Sequence, residues 1–134
     1  MDQIKSPQII KSLSSDGKEN RKYHRTSINV QVSCVSLSEE GLPLDQNKGY
    51  LKDASQGGMA IEADGNALSD RIAIFFTDSD SQIVGILGKV AYARKTADGK
   101  YLIGVSFLAT PEENVQFVSK AVRVHHYYKN AVID

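Results

Sequence analysis

Apolar and polar residues alternate along much of the chain, which is the period of a β-strand that buries one face. The alternation is clearest over residues 28–34 and 101–107, and a longer stretch with a similar pattern covers residues 82–94. Shorter alternating runs lie at residues 49–52, 59–61 and 72–76. The pattern therefore predicts six strands.

Turn-forming residues separate the predicted strands. A loop around Gly41, Pro43, Asp45 and Asn47 precedes the second strand, and Asp98-Gly99 is a strong hairpin signal before the last strand. Further turns are predicted at residues 53–58, 64–66 and 78–80, and Gly85 and Gly88 suggest bulges or sharp bends in the long strand.

A different period begins after residue 109. Thr110, Pro111 and Glu113 form a helix start, with an N-cap, a proline at the first helical position and a capping-box glutamate. Two adjacent apolar stripes follow, one of Val115, Val118, Val122 and His125 and one of Phe117, Ala121, Val124 and Tyr128. We expect a helix over about residues 111–127 that packs on the strands, followed by a short tail at 128–134.

These elements predict an all-β fold with a C-terminal helix, in the form of a closed or nearly closed six-stranded antiparallel β-barrel. Residues 1–18 are polar and irregular, and we expect them to form a flexible N-terminal arm. The predicted domain, including the helix, spans residues 19–126.

Charge and composition narrow the possible partners. The chain has no net charge, although residues 1–27 carry +3 and residues 62–80 carry −4. We therefore expect no nucleic-acid partner, and the absence of a long apolar run predicts no membrane insertion. The single cysteine, Cys34, is expected to be reduced and packed, in a cytoplasmic protein that is a monomer or weak dimer.

Two segments carry residues suited to an anionic nucleotide. Arg21 and Arg25 lie four residues apart, and their guanidinium forks match a phosphate or the O6/N7 edge of guanine. The turn at residues 53–58 holds Asp53, a pure acceptor suited to the guanine N1–H and N2–H₂ donors, and Ser55, a hydroxyl donor. Taken separately, the first segment also fits a solvated linker and the second an ordinary turn.

The two segments together resemble the PilZ domain family, whose signatures are R-x-x-x-R before the first strand and [D/N]-x-S-x-x-G after the second. The matching residues are Arg21, Arg25, Asp53, Ser55 and Gly58. The resemblance implies a split-barrel-like PilZ fold and a receptor for cyclic di-GMP that acts on an unknown downstream protein. It also implies that the arginines hold phosphate and the guanine Hoogsteen edge, that Asp53 reads the Watson–Crick edge, that Ser55 contacts the nucleotide backbone or ribose, and that Gly58 shapes the turn.

Lys22, His24, Gly57 and Arg94 are weaker candidates for contact with the same ligand. No residue pattern indicates a catalytic centre, a metal site or a bound cofactor; the adjacent His125 and His126 would point about 100° apart on a helix. Two alternatives stay open: a nucleotide-independent protein-interaction adaptor with the same fold, and, less favoured, a barrel that binds single-stranded nucleic acid.

Overall fold

A computed structural model describes residues 25–133. The predicted arm, together with Arg21, Lys22 and His24, lies outside this part of the chain. Its elements are, in order, β1 (Thr26–Leu37), β2 (Pro43–Ala54), β3 (Gly58–Ala63), β4 (Arg71–Thr77), β5 (Ile83–Lys95), β6 (Tyr101–Phe107) and α1 (Pro111–Ile133).

The six strands form one closed antiparallel barrel in the order β1-β2-β3-β6-β5-β4. Closure comes from β1 and β4, which pair from Ser33↔Phe75 to Leu37↔Arg71. The predicted barrel with a C-terminal helix is confirmed.

The barrel interior holds the inward residues of all six strands. Its largest fully buried side chains are Leu51, Met59, Ile61, Ile72, Ile74, Ile103 and Val105. Cys34 lies in the same core, and burial raises the pKa of its thiol to about 12. The thiol is therefore protonated and packed at neutral pH, as its place in the alternating pattern predicts.

The helix begins with the predicted capping box. The Glu113 amide donates to Thr110 Oγ1 at 3.2 Å, and the Thr110 amide donates to Glu113 Oε1 at 3.0 Å. Phe117 then packs edge-on against Phe76 and Phe107, with ring centroids 5.2 and 5.9 Å apart. This aromatic contact joins the first turns of α1 to the barrel core.

The helix differs from the sequence prediction at its end. It continues to Ile133 instead of ending near residue 127, so most of the predicted tail is helical. Both predicted stripes contact the barrel: Phe117, Ala121 and Val124 are buried, and Val118 and Val122 pack against the same core. The first member of one stripe, Val115, and the last member of the other, Tyr128, are exposed.

Strand β2 is longer than its composition suggests. The segment predicted as a loop around residues 43–47 is paired with β1, including Asp45↔Ser36 and Gln46↔Val35. Most of its side chains are exposed, so it has no apolar alternation to mark it. Pairing with β1 supplies the backbone hydrogen bonds that its own sequence does not signal.

The two glycines of β5 do not mark bulges. Gly85 and Gly88 pair in regular register with β4, and the irregularity in β5 lies between Val90 and Tyr92. The glycines instead leave room for neighbours: a Cβ at Gly85 would come within 2.5 Å of the Phe75 ring, and one at Gly88 within 2.3 Å of Val105 Cγ1.

The second half of α1 is tied to β1 by a histidine. β1 takes three residue steps from Ser27 to Val30 where β2 takes two from Asp53 to Leu51, which makes a β-bulge at residues 28–29. At this bulge the Asn29 amide donates to His125 Nδ1 at 3.1 Å, and Lys52 Nζ donates to Asn29 Oδ1 at 3.1 Å. His125 therefore supplies the acceptor that the helix offers to this part of β1.

Replacing this histidine with alanine should weaken the attachment of α1. We expect His125→Ala to lower the free energy of unfolding by about 0.5–1.5 kcal/mol, since one hydrogen bond and partly buried ring contacts are lost. Urea denaturation followed by circular dichroism measures the change. The exposed neighbour His126 is the matched control, and equal effects of the two alanine variants would contradict the assignment.

Candidate ligand-binding site on the barrel wall

Asp53 faces outward because β2 carries a bulge immediately before it. Leu51 points into the core, and strict alternation would place Asp53 there too. Opposite β3, however, β2 takes two steps from Leu51 to Asp53 while β3 takes one, from Ile61 to Ala60. The bulge turns the carboxylate outward and lets Ala54 return to the core.

A second bulge, in β5, turns Tyr92 outward in the same way. Val90 packs against the core and pairs with Val105, but the next paired position of β5 is Tyr92, opposite Gly104. The Tyr92 ring lies across Gly104, where a Cβ would come within 2.2 Å of Tyr92 Cε2. The ring is thus held flat on the outer wall, with 38% of the residue exposed.

The two outward-turned residues belong to one row across the barrel. The paired positions run from Ser27 through Asp53, Ala60 and Gly104 to Tyr92. Strand spacing puts Asp53 and Tyr92, three strands apart, at about 14 Å. Small residues lie between them, so the row is a shallow surface with a carboxylate at one end and an aromatic ring at the other.

Arg25 adds a guanidinium to the carboxylate end of this row. Its Nη1 donates to Asp53 Oδ1 in an ion pair whose side chains are 21% and 32% exposed. Arg25 immediately precedes β1, and Ser27 pairs with Asp53, so the register of β1 on β2 brings the two charges together. The two candidates from separate sequence segments therefore occupy one site.

Ser55 and Gly57 lie in the turn that joins β2 to β3. The Ser55 amide donates to the Gly58 carbonyl at 2.9 Å, and Ser55 Oγ accepts from the Gly57 amide at 3.2 Å. The residue is 7% exposed. In this arrangement the hydroxyl fixes the turn directly after Asp53, which holds the carboxylate in place.

Gly58 is required for space. A Cβ there would lie 2.3 Å from the Val105 carbonyl oxygen, because β3 and β6 approach closely where Gly58 pairs with Ser106. Gly58 does not have a positive φ; among the described glycines, Gly41 and Gly99 do.

Arg94 lies at the far edge of the site. It pairs with Leu102 on the next outward row beyond Tyr92, and it is exposed. Arg94 therefore lies nearer to Tyr92, at the aromatic end of the row, than to the Arg25–Asp53 pair. Arg21, Lys22 and His24 fall outside the described residues, so their places in the site stay predictions.

Tyr92 is the residue that sequence reasoning missed. In the alternating pattern of β5 it occupies a position that should face the core, two residues after Val90. The available signal is the glycine at position 104, a small residue inside a clean strand that leaves room for a ring on the neighbouring strand. Without the strand register, that glycine has no identifiable partner.

Within residues 25–133, no group of three or more His, Cys, Asp or Glu side chains is placed to hold a metal ion. Across the same residues, none of the helical structure has both the length and the apolarity that crossing a membrane requires.

The model of the PilZ domain family matches residues 19–122, and the chain belongs to this family. The match includes the paired Arg25 and Asp53 and the turn that ends at Gly58. No curated protein sequence matches the chain.

Several solved structures share the fold, among them the following three. The PilZ domain of YcgR from Escherichia coli with c-di-GMP is 18% identical, with a TM-score of 0.57 over 85% of this chain and 98% of that one. YcgR from Escherichia coli in complex with c-di-GMP is 14% identical, with a TM-score of 0.52 over 84% of this chain. The Bacillus subtilis inhibitor of motility MotI/DgrA is 15% identical, with a TM-score of 0.53 over 77% of this chain. This chain spans about half the length of the last two, 49% in each.

A methyl group at Gly58 should disturb the junction of β3 and β6. We expect Gly58→Ala to lower the free energy of unfolding by about 1–3 kcal/mol, because a backbone carbonyl must move to admit it. Gly65→Ala is the matched control, since the atoms nearest to its Cβ belong to the Asn47 side chain and not to the backbone. Urea denaturation compares the two, and an unchanged Gly58→Ala midpoint would contradict the close approach.

Proposed function

We propose that this chain is a receptor for cyclic di-GMP and that it acts by binding, without catalysis. The observation that carries the proposal is the Arg25–Asp53 pair, which stands beside the turn of residues 53–58 in a chain of the PilZ family. Arginine and carboxylate together offer donors and acceptors on one surface, as the two edges of a guanine require.

Arg25 and Asp53 are each other's hydrogen-bonding partners in the structure. A ligand that binds here has to replace this contact on both sides, with acceptors for the guanidinium and donors for the carboxylate. Guanine supplies both, through O6 and N7 on one edge and N1–H and N2–H₂ on another. Inorganic phosphate supplies only acceptors, so Asp53 would lose its contact with Arg25 and gain no donor in exchange. The pair thus favours a guanine nucleotide over a simple anion.

Tyr92 and Arg94 extend the proposed site along the wall. The flat, partly exposed ring of Tyr92 suits stacking on a second base, and Arg94 supplies a cation two residues further along β5. The distance of about 14 Å between the ends of the row fits a ligand with two bases better than a mononucleotide. We infer that Arg21, four residues before Arg25, closes on the phosphates from the other side.

Calorimetric titration of the chain with cyclic di-GMP, GTP and linear pGpG tests this function. We expect clear binding of the cyclic dinucleotide and much weaker binding of the other two. Arg25→Ala should weaken cyclic di-GMP binding by about tenfold to over a hundredfold, since a charge-assisted bond is worth about 1.5–3 kcal/mol. Tyr92→Ala should weaken it by at least about fivefold through lost stacking.

Arg123→Ala and Tyr127→Ala are the matched controls, since both residues are exposed on α1. Neither should change the affinity. Absence of binding by the unmodified chain at high micromolar ligand would overturn the proposed function and favour the nucleotide-independent adaptor. Normal binding of cyclic di-GMP by the Arg25→Ala variant would contradict the proposed site, but it would not contradict cyclic di-GMP as the ligand.

Ligand binding should also change what the protein presents to a partner. We infer that the segment before β1 rests on bound ligand through Arg21 and that a downstream protein recognises the altered surface. Hydrogen exchange with mass spectrometry is expected to show ligand-dependent protection at residues 19–27 and 53–58. Protection at 53–58 alone would contradict a role for the preceding segment.

A further inference from the structure

The outer face of the β4–β5 hairpin carries an apolar strip that lies away from the ligand row. Its paired positions are Ala73↔Leu87, Phe75↔Gly85 and Thr77↔Ile83. Ile83 is 77% exposed, Leu87 49% and Phe75 38%, with the Phe75 ring lying across Gly85. Three large apolar side chains therefore stand on one short face and remain accessible to solvent among the described residues.

One edge of this strip is formed by α1. Glu113, Gln116 and Lys120 line a shallow groove with residues 83–86. The other edge is β1, where the half-buried Val35 pairs with Ala73. The strip is thus bordered on both sides by other parts of the barrel but is not covered by them.

The ends of the hairpin carry opposite charge. Arg71 and Lys89 are directly paired at the end away from the turn, so two like charges lie side by side. Within the described residues, the ion pairs are Arg25–Asp53 and Lys100–Asp64, and neither Arg71 nor Lys89 belongs to one. Glu39 and Asp70 line a shallow groove beside Arg71 without forming an ion pair with it. At the opposite end, the turn carries Asp78 and the exposed Asp80.

This distribution is self-complementary. We propose that the β4–β5 face docks on the same face of a second copy of this chain, about a two-fold axis near Phe75. An isologous contact of this kind places each patch against its own symmetry mate. Phe75 then meets Phe75 of the second copy, Ile83 packs near Leu87, and Asp80 approaches Arg71 and Lys89.

The dimensions fit this geometry. Arg71 lies four residues from Phe75, about 13 Å along the strand, and the turn with Asp80 lies at a similar distance on the other side. Opposite charges would therefore come into register when the apolar centres meet. The same contact would cover the exposed apolar strip and bring an acidic residue to Arg71 and Lys89, which form no ion pair within residues 25–133.

The area of the strip indicates how strong the association can be. Seven residues of each strand give a strip about 23 Å long and two strands wide. Such a face is smaller than the roughly 800 Å² that each partner of a stable complex buries. We therefore expect the dimer to be weak.

Sedimentation velocity over a concentration series from about 10 μM to 1 mM tests the proposal. The unmodified chain is expected to shift from its 14.7 kDa monomer towards twice that mass. Ile83→Asp should raise the apparent dissociation constant more than tenfold, and its exposure makes misfolding improbable. Leu68→Asp is the matched control, because Leu68 is 60% exposed but lies outside the strip.

A charge exchange separates this dimer from non-specific association. Arg71→Glu should weaken dimerisation, and adding Asp80→Lys in the same chain should restore it in part, since each copy then presents reversed charges to the other. Arg25→Ala should leave the association unchanged, because Arg25 lies outside the strip. The test of dimerisation is therefore independent of the proposed ligand. A chain that stays monomeric at 1 mM, or dimers unaffected by Ile83→Asp, would overturn the proposal and assign the strip to a different protein.

Discussion

The candidate site depends on one constraint, the strict alternation of side chains in a closed barrel, and on the two places where it is broken. In a barrel with a filled interior, a residue two positions after a core residue also faces the core. Asp53 follows Leu51 and Tyr92 follows Val90 by that interval, so regular strands would bury a carboxylate and a phenol. One extra residue in β2 and one in β5 turn both side chains outward onto the same row. The bulges thus keep a carboxylate and a phenol out of the core and place both on the outer wall, where the candidate site lies.

The Arg25–Asp53 pair connects this geometry to the proposed function. Partly exposed ion pairs contribute little to stability, so its presence is poorly explained by folding alone. The pair holds a guanidinium and a carboxylate side by side on the outer wall, and in the proposed function a ligand has to replace this contact for both groups. Ser55 supports the pair by fixing the turn that follows Asp53. Gly58 supports it by leaving room for β6 to approach β3.

The fold places its surfaces in separate regions. The proposed ligand row crosses β1, β2, β3, β6 and the second half of β5, whereas the apolar strip occupies β4 and the first half of β5. Helix α1 contacts both regions: His125 reaches the β1 bulge near Ser27, and its first turns border the strip beside Ile83. The helix is thus in contact with both the proposed ligand row and the apolar strip.

Much of the molecule is determined by the sequence itself. Periodicity predicts the six strands, Thr110 and Glu113 predict the start of the helix, and the two short motifs predict Arg25 and Asp53 as neighbours. These features are local, or they belong to a family whose signature the chain carries. Tertiary contacts decided the rest: the polar first half of β2, the positions of the bulges, the outward orientation of Tyr92 and the exposure of Val115 on α1. Each of these depends on which residue lies opposite on a neighbouring element, and such contacts arise only when the barrel closes.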